Sequence, residues 1–153
     1  MSDELAERRQ RVSAYAVVVD DGFMLLAQIA NGYPGAGSWT LPGGGLDWGE
    51  APDAALHREV YEEAGVRGEI QSLLGIDSLR LERSRNGRLA GYHALRIIYQ
   101  MAASGEPRVT EVNGSVAQSA WVPLTELPRL HTTELVEVAL RMLASADPPV
   151  SGR

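Results

Sequence analysis

Residues 44–66 read GGLDWGEAPDAALHREVYEEAGV, and within them Glu59, Glu62 and Glu63 fall on adjoining positions of what should be one helical turn. Pro52 suits a first helical turn, where its missing N–H costs nothing, and Gly65 suits the position just past the end, so the spacing predicts a helix over residues 51–64. The three carboxylates then share an arc of roughly 100°, with neighbouring Cβ atoms about 5–6 Å apart. At an effective dielectric near 20 each like-charged pair costs about 3 kcal/mol, against a typical net domain stability of about 5–15 kcal/mol. A hard divalent cation, which takes oxygen ligands, turns that repulsion into coordination. Periodicity also sets Glu63 on the line of Leu56 and Val60, the stripe that must be buried, where an unpaired ionised carboxylate is heavily penalised. An acidic helix is ordinarily a solvated face with salt bridges; a solvated face does not share an edge with the core.

Working outward, Asp20, Asp21 and Gly22 supply turn chemistry between two apolar runs, residues 12–19 and 23–28, which read as a hairpin. Gly32, Pro34, Gly35 and Gly37 favour an irregular loop over residues 31–38, followed by a short strand at 39–41. The run Pro42, Gly43, Gly44, Gly45 is expected to break regular structure, because glycine adopts backbone that residues with Cβ atoms resist. Beyond the helix, residues 70–82 and 89–102 read as long strands joined by a hairpin at Asn86 and Gly87. A polar loop over 103–115, a strand over 117–122, a turn over 123–128 and a final helix to residue 144, capped by Thr132 or Thr133, complete the order. Leu135, Val138, Ala139 and Met142 give that last helix its apolar stripe.

The chain has 153 residues, 44% of them hydrophobic and 22% charged, values of one globular domain with a single core. We expect that domain over residues 11–146, with flexible segments at 1–10 and 147–153. No apolar run is long enough to span a bilayer and no secretory signal is visible, so a cytoplasmic location and no membrane association are expected. Zero cysteine excludes disulfides and thiolate metal sites. A formal charge of −6 argues against broad attraction to nucleic acid. It is compatible with a phosphate-bearing small molecule when a metal supplies the positive charge.

Gly44, Glu50, Arg58, Glu59, Val60, Glu62, Glu63, Gly65 and Val66 match every fixed position of the Nudix box, and the chain resembles the MutT-like Nudix hydrolase family. The likeness extends softly to WTLPG at 39–43 and WVPLTEL at 121–127. The resemblance implies an α/β fold, an α/β/α sandwich with a central mixed β-sheet. It also implies hydrolysis of the diphosphate linkage in a nucleoside diphosphate joined to another moiety: a nucleoside triphosphate, a nucleotide sugar or a dinucleotide. Mg²⁺ would be the cofactor, with Mn²⁺ as a substitute. By the same resemblance Glu59, Glu62 and Glu63 would hold the cation, the Gly44 carbonyl could add a ligand, and Glu50 and Arg58 would tie loop to helix and orient the glutamates. Glu59 is the leading candidate for the base, and Glu106 and Glu111, in the polar loop, are alternatives. Homodimers are common in the family, so a homodimer is a compatible assembly.

Trp39 and Trp48 could stack on a base, with packing as the plainer role for Trp39, and Tyr33, in the irregular loop before the box, could reach substrate, with solvent exposure as its plainer role. The three histidines are scattered and suit surface or core positions better than metal binding. Arginines 80, 83, 85 and 88 gather around the second hairpin, where solubilising an edge is the simplest role. One departure concerns Ala117, Gln118 and Ser119, which stand where family members often carry an acid before the tryptophan. That loss motivates a competing function, a nucleotide-binding sensor module with little turnover. A diphosphate isomerase is disfavoured because such enzymes use a cysteine.

Overall fold

The computed structural model describes residues 7–85 and 88–146, and leaves the side chains of residues 83–85, 88 and 89 undescribed. The chain order is β1 (Glu7–Val17), β2 (Val19–Asp20), β3 (Phe23–Ile29), β4 (Trp39–Thr40), β5 (Gly43–Gly45), α1 (Pro52–Ala64), β6 (Glu69–Arg85), β7 (Arg88–Ala102), β8 (Val116–Pro123) and α2 (Glu134–Ser145). A 3-10 turn at Leu124–Arg129 leads into α2. Among the described residues no helix is long and apolar enough to cross a membrane.

The strands make two sheets. The first runs β5-β1-β7-β6 and is mixed, because β1 lies parallel to β7 while β5 and β6 run antiparallel to their neighbours. The second is antiparallel, with β3 paired to β2, β4 and β8. Side-chain alternation on β1 divides the core in two. Ala14, Ala16 and Val18 pack with Leu56, Val60 and Ala64 of α1, whereas Val17 packs with Leu135, Val136 and Ala139 of α2. The helices therefore cover opposite faces, and each buried Leu or Val contributes about 1.5–3 kcal/mol. This is the α/β architecture with a mixed sheet between helices that the resemblance implied.

Three expectations are corrected. The first hairpin is confined to Val19–Asp20 against Phe23 and Met24, since the chain leaves the mixed sheet after Val17 and enters the second sheet. Asp21 at φ 49° and Gly22 at φ 80° make its turn, the left-handed pair that a tight hairpin requires. Residues 7–10, assigned to a flexible leader, belong to β1, because the long β7 offers parallel partners back to Glu7↔Ala90. The glycine run, expected to interrupt structure, is the edge strand β5, paired with Ser13, Ala14 and Tyr15. The hairpin assigned to Asn86 and Gly87 and the tail at 147–153 lie outside the described residues.

Candidate active site

α1 begins without a side-chain cap at Ala51, takes Pro52 in its first turn and ends at Gly65, whose φ of 65° lets its N–H reach the Tyr61 carbonyl. Its last turn carries no basic residue. The glutamates thus crowd the negative end of the helix dipole, which adds to their mutual repulsion.

Arg58 relieves part of that strain. Its Nε and Nη2 each donate at 2.9 Å to an oxygen of Glu50, its Nη1 donates to Glu59 at 3.0 Å and to Glu62 at 3.3 Å, and Nη2 also reaches the Gly45 carbonyl at 3.2 Å. The Arg58 guanidinium holds the Glu50 carboxyl down at about 2. In return Glu50, and then Glu59, push Arg58 further above its already high value. Glu50 also closes its own loop, accepting from the Asp47 N–H at 3.0 Å.

Glu63 is 5% exposed, and its Oε2 accepts from the Gly43 N–H at 2.8 Å. Burial pushes its pKa well above the ordinary range; the Gly43 bond opposes this, and the neighbouring Glu59, Glu111 and Glu62 charges add to it. Glu59 is raised chiefly by burial, against the pull of Arg58. Its carboxyl lies under Gly44, where an added Cβ would stand 2.8 Å from it. The glycines of β5 therefore make room on both faces. Gly44 admits Glu59 on the helix side, while Gly43 and Gly45 admit Tyr15 and the Arg11 guanidinium on the other, a Cβ on Gly45 falling 2.5 Å from Arg11 Nη2.

Next to them is a cleft of about 630 Å³, lined by Gly43, Gly44 and Glu63 together with Ile29, Tyr33, Pro34 and Leu135. Arg11, Tyr15 and Arg96 also line it. Arg96 is tied to Asp77 and, at 2.6 Å, to Glu134, whereas Arg11 has no ion pair among the described residues. These three were not singled out from sequence, although the alternation Arg11, Ser13, Tyr15 along a strand was the available signal.

The loop over 103–115 brings Glu111 to this place. Its backbone satisfies the end of α1, the N–H groups of Arg108, Thr110 and Glu111 donating to the carbonyls of Ala64 and Glu62 at 2.8–3.1 Å. Glu111 lines both the cleft and a second groove of about 460 Å³ bordered by His57, Arg58, Tyr61 and Glu62 of α1. Glu106 is exposed and lines neither. Tyr33 lines the cleft, but Trp48 is fully exposed and does not. Gln118 bonds to Gln28 at 2.6 Å across β8 and β3. His93 is held between Gln10 and Ser78, away from the glutamates.

Among the described residues no three acidic or histidine side chains converge as a ready cation cage. The cause is visible: Glu59 and Glu62 are turned to Arg58, and Glu63 to Gly43. The donor chemistry nevertheless suits a hard cation, being all oxygen, partly buried and crowded beyond what one guanidinium neutralises.

A family model described as NUDIX domain matches residues 8–144. The chain is 30% identical over 125 residues to the nucleoside triphosphatase NudI of Salmonella agona, covering 78% of this chain and 86% of that one. It is 28% identical over 140 residues to NudI of Escherichia coli, covering 88% and 96%. Among solved structures, the MutT NUDIX hydrolase from Burkholderia pseudomallei superposes with a TM-score of 0.71 at 34% identity, covering 88% of this chain and 98% of that chain.

Proposed function

The chain belongs to the NUDIX domain family and is a Nudix-type pyrophosphohydrolase, and from that premise we propose that it uses Mg²⁺ to hydrolyse the diphosphate linkage of a nucleoside diphosphate joined to another group, a nucleoside triphosphate foremost. The observation that carries the proposal is Glu63, a carboxylate buried at the cleft wall with Glu59, Glu62 and Glu111 close enough to raise its pKa. Such a group is stable as an anion only beside a cation.

Glu59, Glu62 and Glu63 would hold the metal, with the Gly44 carbonyl as a further oxygen. Bound Mg²⁺ supplies neutralisation of the phosphate oxygens and lowers the pKa of water. Arg58, fixed by Glu50, keeps Glu59 and Glu62 in place for exchange from guanidinium to cation. A base needs a lone pair facing water, and Glu59 already accepts from Arg58 beneath Gly44. Glu111, without an ion pair among the described residues and bordering both cavities, suits proton abstraction better. It also offsets the acid missing at residues 117–119, which weighs against the sensor reading.

The test is a nucleotide panel with and without Mg²⁺, products identified by mass. Turnover that needs Mg²⁺ and falls on the order of 100-fold in Glu63→Gln supports the reading. Tight nucleotide binding without turnover would favour the sensor. Unchanged turnover in Glu59→Gln, Glu62→Gln and Glu63→Gln would remove the site from consideration.

A further inference from the structure

Every asparagine of this chain, Asn31, Asn86 and Asn113, is followed directly by glycine. Asparagine is a thermolabile residue, and in such a pair the next backbone nitrogen can attack its carboxamide while glycine has no side chain to obstruct the ring that forms. Asn86 and Gly87 lie outside the described residues. The other two pairs differ in their surroundings. A Cβ on Gly32 would meet nothing within 4 Å, whereas a Cβ on Gly114 would stand 2.8 Å from the carboxyl carbon and Oε2 of Glu111. The Glu111 carboxylate is thus folded back over Gly114. Asn113, Gly114 and Glu111 all line the cleft, and Asn31 does not.

The segment around Asn113 is open to this chemistry. The loop is pinned on one side by the Glu111 N–H, which donates to the Glu62 carbonyl at 3.1 Å, and on the other by the Ser115 carbonyl, which accepts from the Ala30 N–H at 2.8 Å. Among the described residues none of the backbone hydrogen bonds that pin the loop uses the Gly114 N–H, the group that must act as nucleophile. Between the anchors Val112 is 85% exposed and Asn113 is exposed as well, so water reaches the carboxamide. Asn113 stands at φ 58°, a left-handed backbone that asparagine tolerates and most other side chains avoid.

We propose that Asn113 is a site of self-modification, at which the Gly114 nitrogen converts the carboxamide to a carboxylate and the product displaces Glu111 from its place at the cleft. The Gly114 nitrogen gives its proton to water and bonds to the side-chain carbonyl carbon of Asn113. The carboxamide nitrogen takes up a proton and leaves as ammonia, and a cyclic succinimide remains. Water then adds to one of the two ring carbonyls and breaks the bond from that carbon to the nitrogen. Opening at the side-chain carbonyl leaves aspartate. Opening at the main-chain carbonyl leaves isoaspartate, whose backbone runs through the former side chain and is longer by one carbon. Water enters and ammonia leaves, with no change of oxidation state. Either product puts a new negative charge two residues from Glu111 in the same cleft, and isoaspartate also shifts Gly114 from under the Glu111 carboxylate. The effect on turnover rests on the hydrolase reading, whereas the conversion itself does not. Asn31 can undergo the same chemistry with no carboxylate over its glycine to disturb.

The test ages the full chain at mildly alkaline pH, where the peptide nitrogen loses its proton more readily, and maps it by mass after digestion at mildly acidic pH, with Mg²⁺-dependent turnover followed on the same samples. The Asn113 peptide is expected to gain the mass of an amide-to-acid exchange and to separate into aspartyl and isoaspartyl forms. Turnover is expected to fall as the converted fraction rises, by about tenfold or more for converted chains. Asn113→Gly keeps the positive φ and has no carboxamide, so its turnover is expected to hold relative to its own fresh sample. Asn31→Gly is expected to age as the wild type does. An Asn113 peptide that stays intact in the folded chain while the urea-unfolded chain converts overturns the site. Conversion without loss of turnover, or an equal loss in aged Asn113→Gly, overturns the link to Glu111. Absence of turnover by the fresh wild type across the nucleotide panel overturns the hydrolase reading, and the mass map alone then decides the conversion.

Discussion

Two carboxylates of the same motif respond to pH in opposite senses. Burial raises the pKa of Glu63 above the ordinary 4.5, so its contribution to stability is present below 4.5 and lost as pH rises through the raised value. Glu50, held at about 2 by Arg58, contributes stability above 4.5 that is lost as pH falls toward 2. Without metal, then, neutral pH leaves Glu63 at odds with its surroundings. Glu63→Gln keeps an acceptor for the Gly43 N–H and removes the buried charge. The metal-free variant is expected to melt above the wild type at pH 7, the gap closing as pH falls toward 4.5, and to lose any rise in melting temperature on adding Mg²⁺. A variant that melts below the wild type at pH 7 would mean that the ionised carboxylate is already compensated in the free protein. Glu63 was legible from sequence because helical periodicity alone puts it beside Leu56 and Val60. Arg11 was not, since its significance lies in lining the cleft with no ion pair among the described residues.

At the scale of elements, the loop over 103–115 acts as a cap for α1. Besides the backbone donors, the Thr110 hydroxyl donates to the Tyr61 carbonyl at 2.9 Å. Thr110→Val keeps the shape and deletes that bond, at a cost of about 1 kcal/mol. The Gly65 N–H still satisfies the Tyr61 carbonyl, so the helix survives and the loop loosens. Faster amide exchange over residues 106–114 than over α1, with reduced turnover as Glu111 loses its place, is the expected result; unchanged loop protection would show that the cap does not depend on the hydroxyl. This docking also marks where sequence reading stops. Pro52 and Gly65 bound α1 by local backbone preference, and a single chain suffices to read them. β5 defeats the same logic, because glycine favours irregular backbone and only the register with Ser13, Ala14 and Tyr15 makes a strand of it. From sequence Glu111 stands level with Glu106, two acids of one polar loop; what separates them is that helix-end carbonyls, seeking donors distant in sequence, dock the backbone of Glu111 on α1.

Across the whole molecule, α2 meets the mixed sheet through its apolar stripe and through one charged side chain that lines the cleft. Arg96 on β7 is 10% exposed at its side chain, donates to Asp77 on β6 at 2.9 Å from Nε, and meets Glu134 in the first turn of α2 at 2.6 Å. Burial works against its charge, yet Glu134 and Asp77 outweigh burial and hold it protonated. Glu134 in turn sits at the positive end of the α2 dipole. Behind this clamp Thr133 donates to Thr40 at 2.8 Å, joining the start of α2 to β4 of the second sheet. The cleft walls Leu135, Thr133 and Thr40 therefore share one anchor that touches both sheets and both strands of the long ribbon. Arg96→Met preserves much of the volume and leaves Asp77 without its guanidinium. The expected cost is about 1–3 kcal/mol, the penalty for an unpaired, mostly buried polar group. Since Arg96 lines the cleft and is bonded to none of the three glutamates of the acidic turn, KM for nucleotide should rise more than kcat falls. Glu134→Gln, at a carboxylate that is 55% exposed, should move the melting temperature far less. If Arg96→Met melts with the wild type and KM is unmoved, α2 is held by its apolar stripe alone, and the cleft owes its shape to Leu135, Val136 and Ala139 packing on Val17 and Ile98.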